Sequence, residues 1–199
     1  MSAPGPIVTL IRHGETEWSK SGQHTGRSDI PLTAAGERQA KEIATLIDSD
    51  AFSAVLVSPM QRAQRTATLA GLEDFEVVDD LREWDYGDFE GLASAEIRDR
   101  VPGWSIWAGP WRGGESASDV TARADRVIER ILALPADARV ALVGHGHMSR
   151  VLGARWMGSA VTAGQRLALD TGAVCELGWE HDYRVLHRWN VVAGATIGR

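Results

Sequence analysis

Ile7-Val8-Thr9-Leu10-Ile11-Arg12-His13-Gly14-Glu15-Thr16 is the stretch that decides the fold. Its first five residues are apolar or β-branched and read as a buried strand. The strand delivers Arg12 and His13, then Gly14, to its C-terminal edge. In an open α/β sheet that edge is where ligands bind. A second copy lies far along the chain, where Val140-Ala141-Leu142-Val143 runs into Gly144-His145-Gly146-His147. Two buried strands that each end in a histidine beside glycine bring two imidazoles toward one pocket. Arg12 next to the first imidazole suits that pocket to an anion, phosphate foremost.

Outward from these strands the pattern alternates. Residues 19–32 are polar and read as a loop. A helix starts near Thr33, with Ala40, Ile43, Ala44 and Ile47 as its buried face. Residues 54–58 form a short buried strand stopped by Pro59. Arg62 to Gly71 follow as a helix carrying Ala63, Ala67 and Ala70, and residues 76–78 as a third strand. Ser116-Ala117-Ser118-Asp119 resembles a capping box. It opens a helix striped with Val120, Ala124, Val127, Ile131 and Leu134. After the strand at 139–143 comes a helix from His147 to Met157. Two strands, 173–179 and 183–189, then flank a turn at His181-Asp182. This is the pattern of an α/β three-layer sandwich, a mainly parallel central sheet with helices on both faces. One domain over 1–199 is expected. Residues 81–115 stand apart as an irregular, aromatic-rich cap with Trp84, Tyr86, Phe89, Trp104, Trp107 and Trp111. It reads as too irregular for core scaffolding and too aromatic for a linker, and loops of this length are usually functional.

A net charge of -6 and no block of basic residues argue against nucleic acid or an anionic membrane as partner. Only Lys20 and Lys41 are lysines among 21 basic residues, so the cations are mostly planar arginine forks suited to phosphate. The one cysteine, Cys175, sits in an apolar run and reads as core. Met1 to Pro6 lack the pattern of a signal peptide, and no apolar run reaches the length of a membrane span. A reduced cytoplasmic setting is expected, with the oligomeric state open, a homodimer included.

Four points along the chain offer polar groups to one sheet edge: Arg12 with His13, Arg62 after Ser58-Pro59, Glu83 within Leu81-Arg82-Glu83-Trp84, and His145. Two histidines, two arginines and a glutamate without metal-ligand spacing suit phosphoryl transfer through a phosphohistidine. A neutral imidazole is nucleophilic near neutral pH. Positioned cations stabilise the charge on the transferring group, and a carboxylic acid protonates the leaving alkoxide. His145 and His147 lack a local carboxylate or cysteine that would complete a metal site, so neither metal nor other cofactor is expected.

Taken together, Arg12-His13-Gly14-Glu15-Thr16, Ser58-Pro59 ahead of Arg62, Leu81-Arg82-Glu83 and Gly144-His145-Gly146 resemble the histidine phosphatase superfamily, which also contains the cofactor-dependent phosphoglycerate mutases. The resemblance implies that His13 is the phosphorylated nucleophile. It implies that Arg12, Arg62 and His145 bind phosphoryl oxygens, and that Glu83 is the proton donor and later the base. Residues 16–26 and 83–91, with His145-Gly146-His147, resemble a branch that includes sedoheptulose-1,7-bisphosphatase-like enzymes and acid phosphatases. Ser19 stands where the mutases carry asparagine. The lysine and paired arginines that mutases use after the glutamate region have no counterpart in residues 81–115. The expected activity is that of a metal-independent phosphomonoesterase on a small phosphorylated metabolite, a sugar phosphate or bisphosphate first. A phosphoglycerate mutase is the alternative, and a non-catalytic phosphate-binding module is a more distant one.

Ser19, Gln23, His24, Thr25 and Gly26 are candidate substrate contacts by position, with the Thr25 and Gly26 backbone amides facing phosphate. Trp107 and Trp111 either stack on a sugar or plug the cap against the core. His147 either orients His145 or touches substrate. Glu115 is expected in a structural role near the active-site arginines. His181 and His187 are expected at the surface.

Overall fold

The computed structural model describes residues 4–195. The ends of the expected 1–199 domain, including the first three residues of the Met1–Pro6 stretch, lie outside the described residues. Six strands form one sheet: β1 (Ile7–Arg12), β2 (Ala54–Val57), β3 (Glu76–Val77), β4 (Arg139–Gly144), β5 (Val174–Glu180) and β6 (Tyr183–Val191). Their order is β3-β2-β4-β1-β5-β6. The first four run parallel, and β5 and β6 are antiparallel additions on one side.

Alternation along the strands sends residues to two cores. Val8, Leu10, Leu56, Val140 and Leu142 join one. Ile11, Val57, Ala141 and Val143 join the other. Helices α2 (Ala34–Ile43) and α3 (Gln61–Leu69) cover the second face through Ile43, Ala63 and Ala67. Helices α5 (Ala117–Leu132) and α6 (Gly146–Trp156) cover the first, with Val120, Val127, Met148 and Val151 buried there. Helix α5 begins in the expected capping box, Ser116 accepting from Asp119 N while the Asp119 carboxylate accepts from Ser116 N. Among the described residues no helix is long and apolar enough to cross a membrane. Cys175 is buried, and His181 and His187 are exposed.

Three expectations are corrected. The stretch from residue 19 is not all loop, because Thr16 caps a short helix, α1 (Glu17–Ser21), and Ser19 completes the box from N3. Ala44 is exposed rather than on the buried face, because α2 ends at Ile43 and the chain turns there. Residues 81–115 are core as well as cap. They contain helix α4 (Ser94–Arg100). Trp84, Tyr86, Phe89, Trp104 and Trp107 are all buried and belong to the larger core, so apolar area rather than regular periodicity holds this segment.

Register explains the juxtaposition of the two histidines. Arg12 pairs with Gly144 across the parallel β1–β4 ladder, so the next residue on each strand is a histidine. His13 N donates to Gly144 O at 3.0 Å, which extends the ladder into the site. The loop after His13 is pinned by backbone contact. A Cβ on Gly36 would stand 2.1 Å from Glu15 O, and one on Gly14 would stand 2.2 Å from Gly36 O. Gly36→Ala is therefore expected to destabilise the fold by about 1–3 kcal/mol, as overpacking does. Urea unfolding of the variant against the parent measures this, and an unchanged midpoint would refute the close crossing.

Candidate active site

His13 is buried at the end of β1. Its Nδ1 lies 2.7 Å from Gly14 O. A carbonyl only accepts, so Nδ1 carries the proton and Nε2 carries the lone pair. Burial, and then the positive charges of Arg62 and Arg12, push the His13 pKa well below the ordinary histidine value. The ring is held neutral, in one tautomer, with its nucleophilic nitrogen defined.

His145 meets His13 edge-on, ring centres 5.2 Å apart. It too is neutral, its pKa lowered first by burial and then by Arg62. Arg62 Nε donates to His145 Nδ1 at 3.2 Å, so the other ring nitrogen, Nε2, donates to Ser58 Oγ at 2.7 Å. Arg62 is itself fully buried. Nη1 donates to Ser28 O, and Nη2 to the carbonyls of Thr25 and Gly26.

The cavity has a volume of about 170 Å³, with Arg12, His13, Glu83, Tyr86, His147 and Arg150 on its wall. Arg62 and His145 stand behind that wall, with every nitrogen already engaged. Arg12 Nη1 donates to Leu169 O, while its Nε is buried without a hydrogen-bond partner. An unpaired buried guanidinium donor marks a place for an acceptor.

Glu83 reaches the cavity from the start of the aromatic segment. Its carboxylate accepts from Trp84 N and Met148 N at 2.8 Å and from His147 N at 2.9 Å. The last two are first-turn amides of α6, whose own N-cap position, His145, provides no side-chain cap. Glu83 thus caps α6 from another part of the chain. Arg123 of α5 sets its backbone by donating to the carbonyls of Asp80, Arg82 and Glu83. Glu115 grips Arg123 in a two-point ion pair at 2.9 and 2.6 Å. Its structural partner is therefore Arg123, rather than the arginines at the His13 end.

The expected substrate contacts divide. Ser19, Gln23, His24, Thr25 and His147 line the cavity. The Ser19 hydroxyl is committed to Thr16, however, and the Gln23 amide to Ser21 and Gly91. Two expectations are corrected. The Gly26 amide donates to the Glu90 carboxylate at 2.9 Å, and Gly26 is off this cavity, so it does not face phosphate. Trp107 does not line the cavity. It is buried against Trp84, with ring centres 5.6 Å apart, and plugs the cap against the core.

Sequence reasoning missed Tyr86 and Arg150 on the cavity wall. The Tyr86 hydroxyl lies 2.7 Å from His147 Nδ1. The signal for Arg150 was available, four residues after Gly146 on the helix that carries His147. Among the described residues no group of three or more His, Cys, Asp or Glu is placed to hold a metal ion.

Residues 8–192 match the model of the histidine phosphatase superfamily (branch 1). An acid phosphatase of Mycobacterium tuberculosis is 39% identical over 181 residues, 90% of this chain and 89% of that one. A sedoheptulose 1,7-bisphosphatase of Saccharomyces cerevisiae is 35% identical over 187 residues, 78% of this chain and 69% of that one. The solved structure of a Mycobacterium tuberculosis open reading frame product superposes with a TM-score of 0.90 at 37% identity, covering 94% of this chain and 98% of the other.

The lowered His13 pKa has a sign. An imidazole is nucleophilic in its unprotonated form, so a lowered value extends that form's range into acid. Corrected for the substrate's own ionisation, kcat/KM for a phosphate monoester is expected to hold as pH falls through 6.5, the ordinary histidine value. A profile that halves there would contradict the buried, neutral nucleophile.

Proposed function

The chain belongs to the histidine phosphatase superfamily, and on that premise we propose that it is a phosphomonoesterase acting through a phosphohistidine at His13 on a small phosphorylated metabolite. The observation that carries this reading is the His13 Nδ1–H bond to Gly14 O, which leaves Nε2 as the free nucleophile in a neutral ring.

In the first step the Nε2 lone pair attacks phosphorus. The P–N bond forms as the P–O bond to the leaving group breaks. Glu83 in its acid form gives its proton to the departing alkoxide. In the second step water attacks the phosphohistidine, the P–N bond breaks, and the water's proton returns to Glu83. Inorganic phosphate leaves, and His13 regains its starting tautomer. Arg12 is the direct oxyanion partner, with a donor to spare. Arg62 and His145 work from behind the wall, Arg62 by its charge and His145 by holding both Arg62 and the edge of His13. For His145 to touch a phosphoryl oxygen, one of its present hydrogen bonds must exchange, whereas Arg62 keeps one Nη1 proton uncommitted among the described residues.

A sugar phosphate or bisphosphate is the substrate class we favour. The cavity is small and polar, and the similar proteins include a sedoheptulose 1,7-bisphosphatase and an acid phosphatase. A mutase reaction would require isomerisation of 3-phosphoglycerate primed by 2,3-bisphosphoglycerate, which an assay of that conversion tests directly.

His13→Ala is expected to abolish phosphate release from p-nitrophenyl phosphate and from fructose 1,6-bisphosphate alike. Ordinary turnover by that variant would remove the covalent mechanism. Glu83→Gln is expected to cost about 100-fold or more on a sugar phosphate, within the usual range of acid catalysis, and far less on p-nitrophenyl phosphate, whose leaving group needs no proton. Equal losses on the two substrates would exclude Glu83 as the proton donor.

A further inference from the structure

The guanidinium of Arg12 hangs on a single acceptor. Among the described residues Nη1 donates to Leu169 O, and Nε has no partner. Arg62, by contrast, is held by the carbonyls of Thr25, Gly26 and Ser28 and by His145. One side of the Arg12 group lies against Gly146, where a Cβ would stand 3.2 Å from Cζ. Contact of that kind limits tilt, but it does not set the direction in which the donors point. That direction depends on where Leu169 O is held.

Leu169 lies in a stretch, residues 167–172, that is neither helix nor strand. Its carbonyl and the Asp170 N–H are the two ends of one peptide group. The group is planar, so fixing the N–H fixes the carbonyl. Asp170 N donates to Asn190 Oδ1 at 2.7 Å, and Asn190 Nδ2 donates back to the Asp170 carboxylate at 2.9 Å. The neighbouring Trp189 Nε1 donates to Ala168 O, one peptide earlier. Two consecutive residues of β6 therefore grip the peptides on either side of Leu169.

Asn190 can reach this loop because β6 is irregular there. Val174 pairs with Val191 and Glu176 with Arg188, so Trp189 and Asn190 together oppose Cys175. A bulge of this kind re-aims side chains. Asn190 sits at φ 59°, a left-handed conformation that asparagine tolerates better than most residues, and its N–H donates to Cys175 Sγ at 3.3 Å. The hydrogen bonds run in one direction, from Arg12 to Leu169 O and from Asp170 N–H to Asn190 Oδ1. Each polarises the peptide between them and strengthens the other. Burial works against the charge of Arg12, and Glu83, Tyr86 and Asp170 favour it.

We propose that Asn190 is a positioning residue for the anion site: through the Leu169–Asp170 peptide it aims the guanidinium of Arg12 so that Nε is left for a phosphoryl oxygen. The proposal rests on the phosphatase reading for the task of Arg12, and it adds a residue that does not line the cavity. The competing role is purely structural, the amide merely tying the loop to β6.

The test is the affinity for inorganic phosphate, measured by calorimetry at pH 7.5, with thermal unfolding alongside. Asn190→Gly keeps the left-handed backbone and removes the amide. It is expected to weaken phosphate binding about 3- to 10-fold, the range of one hydrogen bond. The same change made on Arg12→Gln is expected to weaken it no further, because the two residues act through one another. Asn190→Asp alone sets two carboxylates face to face and is expected to weaken binding as well. Adding Asp170→Asn to it restores both hydrogen bonds with donor and acceptor exchanged, and is expected to recover most of the affinity. A glycine variant that melts earlier yet binds phosphate like the parent, as a structural role predicts, would overturn the proposal. So would an equal loss on Arg12→Gln, or a parent protein that binds no phosphate. If the glycine variant fails to fold, the aspartate variant and its exchanged pair decide, and equal phosphate affinities in those two count against Asn190. Turnover of p-nitrophenyl phosphate by the unmodified protein is measured separately. Its absence would refute the phosphatase reading, while the coupling of Asn190 to Arg12 in phosphate affinity still judges the positioning role.

Discussion

A guanidinium buried as completely as that of Arg62 must find acceptors or forfeit several kcal/mol, and much of the site is arranged around meeting that demand. Its acceptors are the carbonyls of Thr25, Gly26 and Ser28 and the ring of His145. The consequences spread outward. The polar loop after α1 is drawn inward by its backbone. His145 must present a lone pair at Nδ1, so its proton goes to Nε2 and Ser58. The fixed positive charge behind His13 helps burial keep that ring unprotonated. One buried cation therefore sets a loop and a tautomer, and adds to what burial does to the protonation of His13.

The aromatic segment works by a different physics. It has little regular structure, and it is held by area: Trp84, Tyr86, Trp104 and Trp107 pack into the larger core, with the Trp84 and Trp104 indole N–H groups donating to Glu115 O and Pro110 O. That packing gives Glu83 a rigid mount, and the Glu115–Arg123 pair locks the backbone on either side of it. The same carboxylate closes the open end of α6. The helix that positions His147 and Arg150 and the segment that positions Glu83 therefore hold each other in register. Trp107 lies beneath this junction and carries Arg150 on its face. Buried aromatic bulk is in this way connected to the polar wall of the cavity.

Much of this was legible in the chain itself. The apolar runs before Arg12-His13 and before His145 specified buried parallel strands, because burial on both faces demands such runs and their C-terminal ends share an edge. The stripes of Ala63–Ala67 and Val120–Val127 specified the covering helices. The residues proposed to act on the phosphoryl group were identifiable because each follows a strand end or a recognisable short motif. Less legible were the groups whose role depends on what is already satisfied. Gln23 and Gly26 have the right polarity and the right place in sequence, yet their hydrogen bonds are spent on Gly91, Ser21 and Glu90. Trp107 has the right surface for a sugar, yet it is buried.

By itself the sequence determined the α/β architecture, the edge at which the site lies, and the identities of the two histidines, two arginines and the glutamate gathered there. Those follow from periodicity, strand-end position and residue chemistry, which are local properties. Only the tertiary structure decided which of these groups face the cavity and which stand behind it, which tautomer each histidine carries, and that Tyr86 and Arg150 belong to the wall. Those outcomes depend on hydrogen-bond partners far apart in the chain, such as Ser58 with His145, Glu83 with the first turn of α6, and Arg150 with Gly164. A donor or acceptor is available for function only after long-range packing has settled which of its partners are already taken.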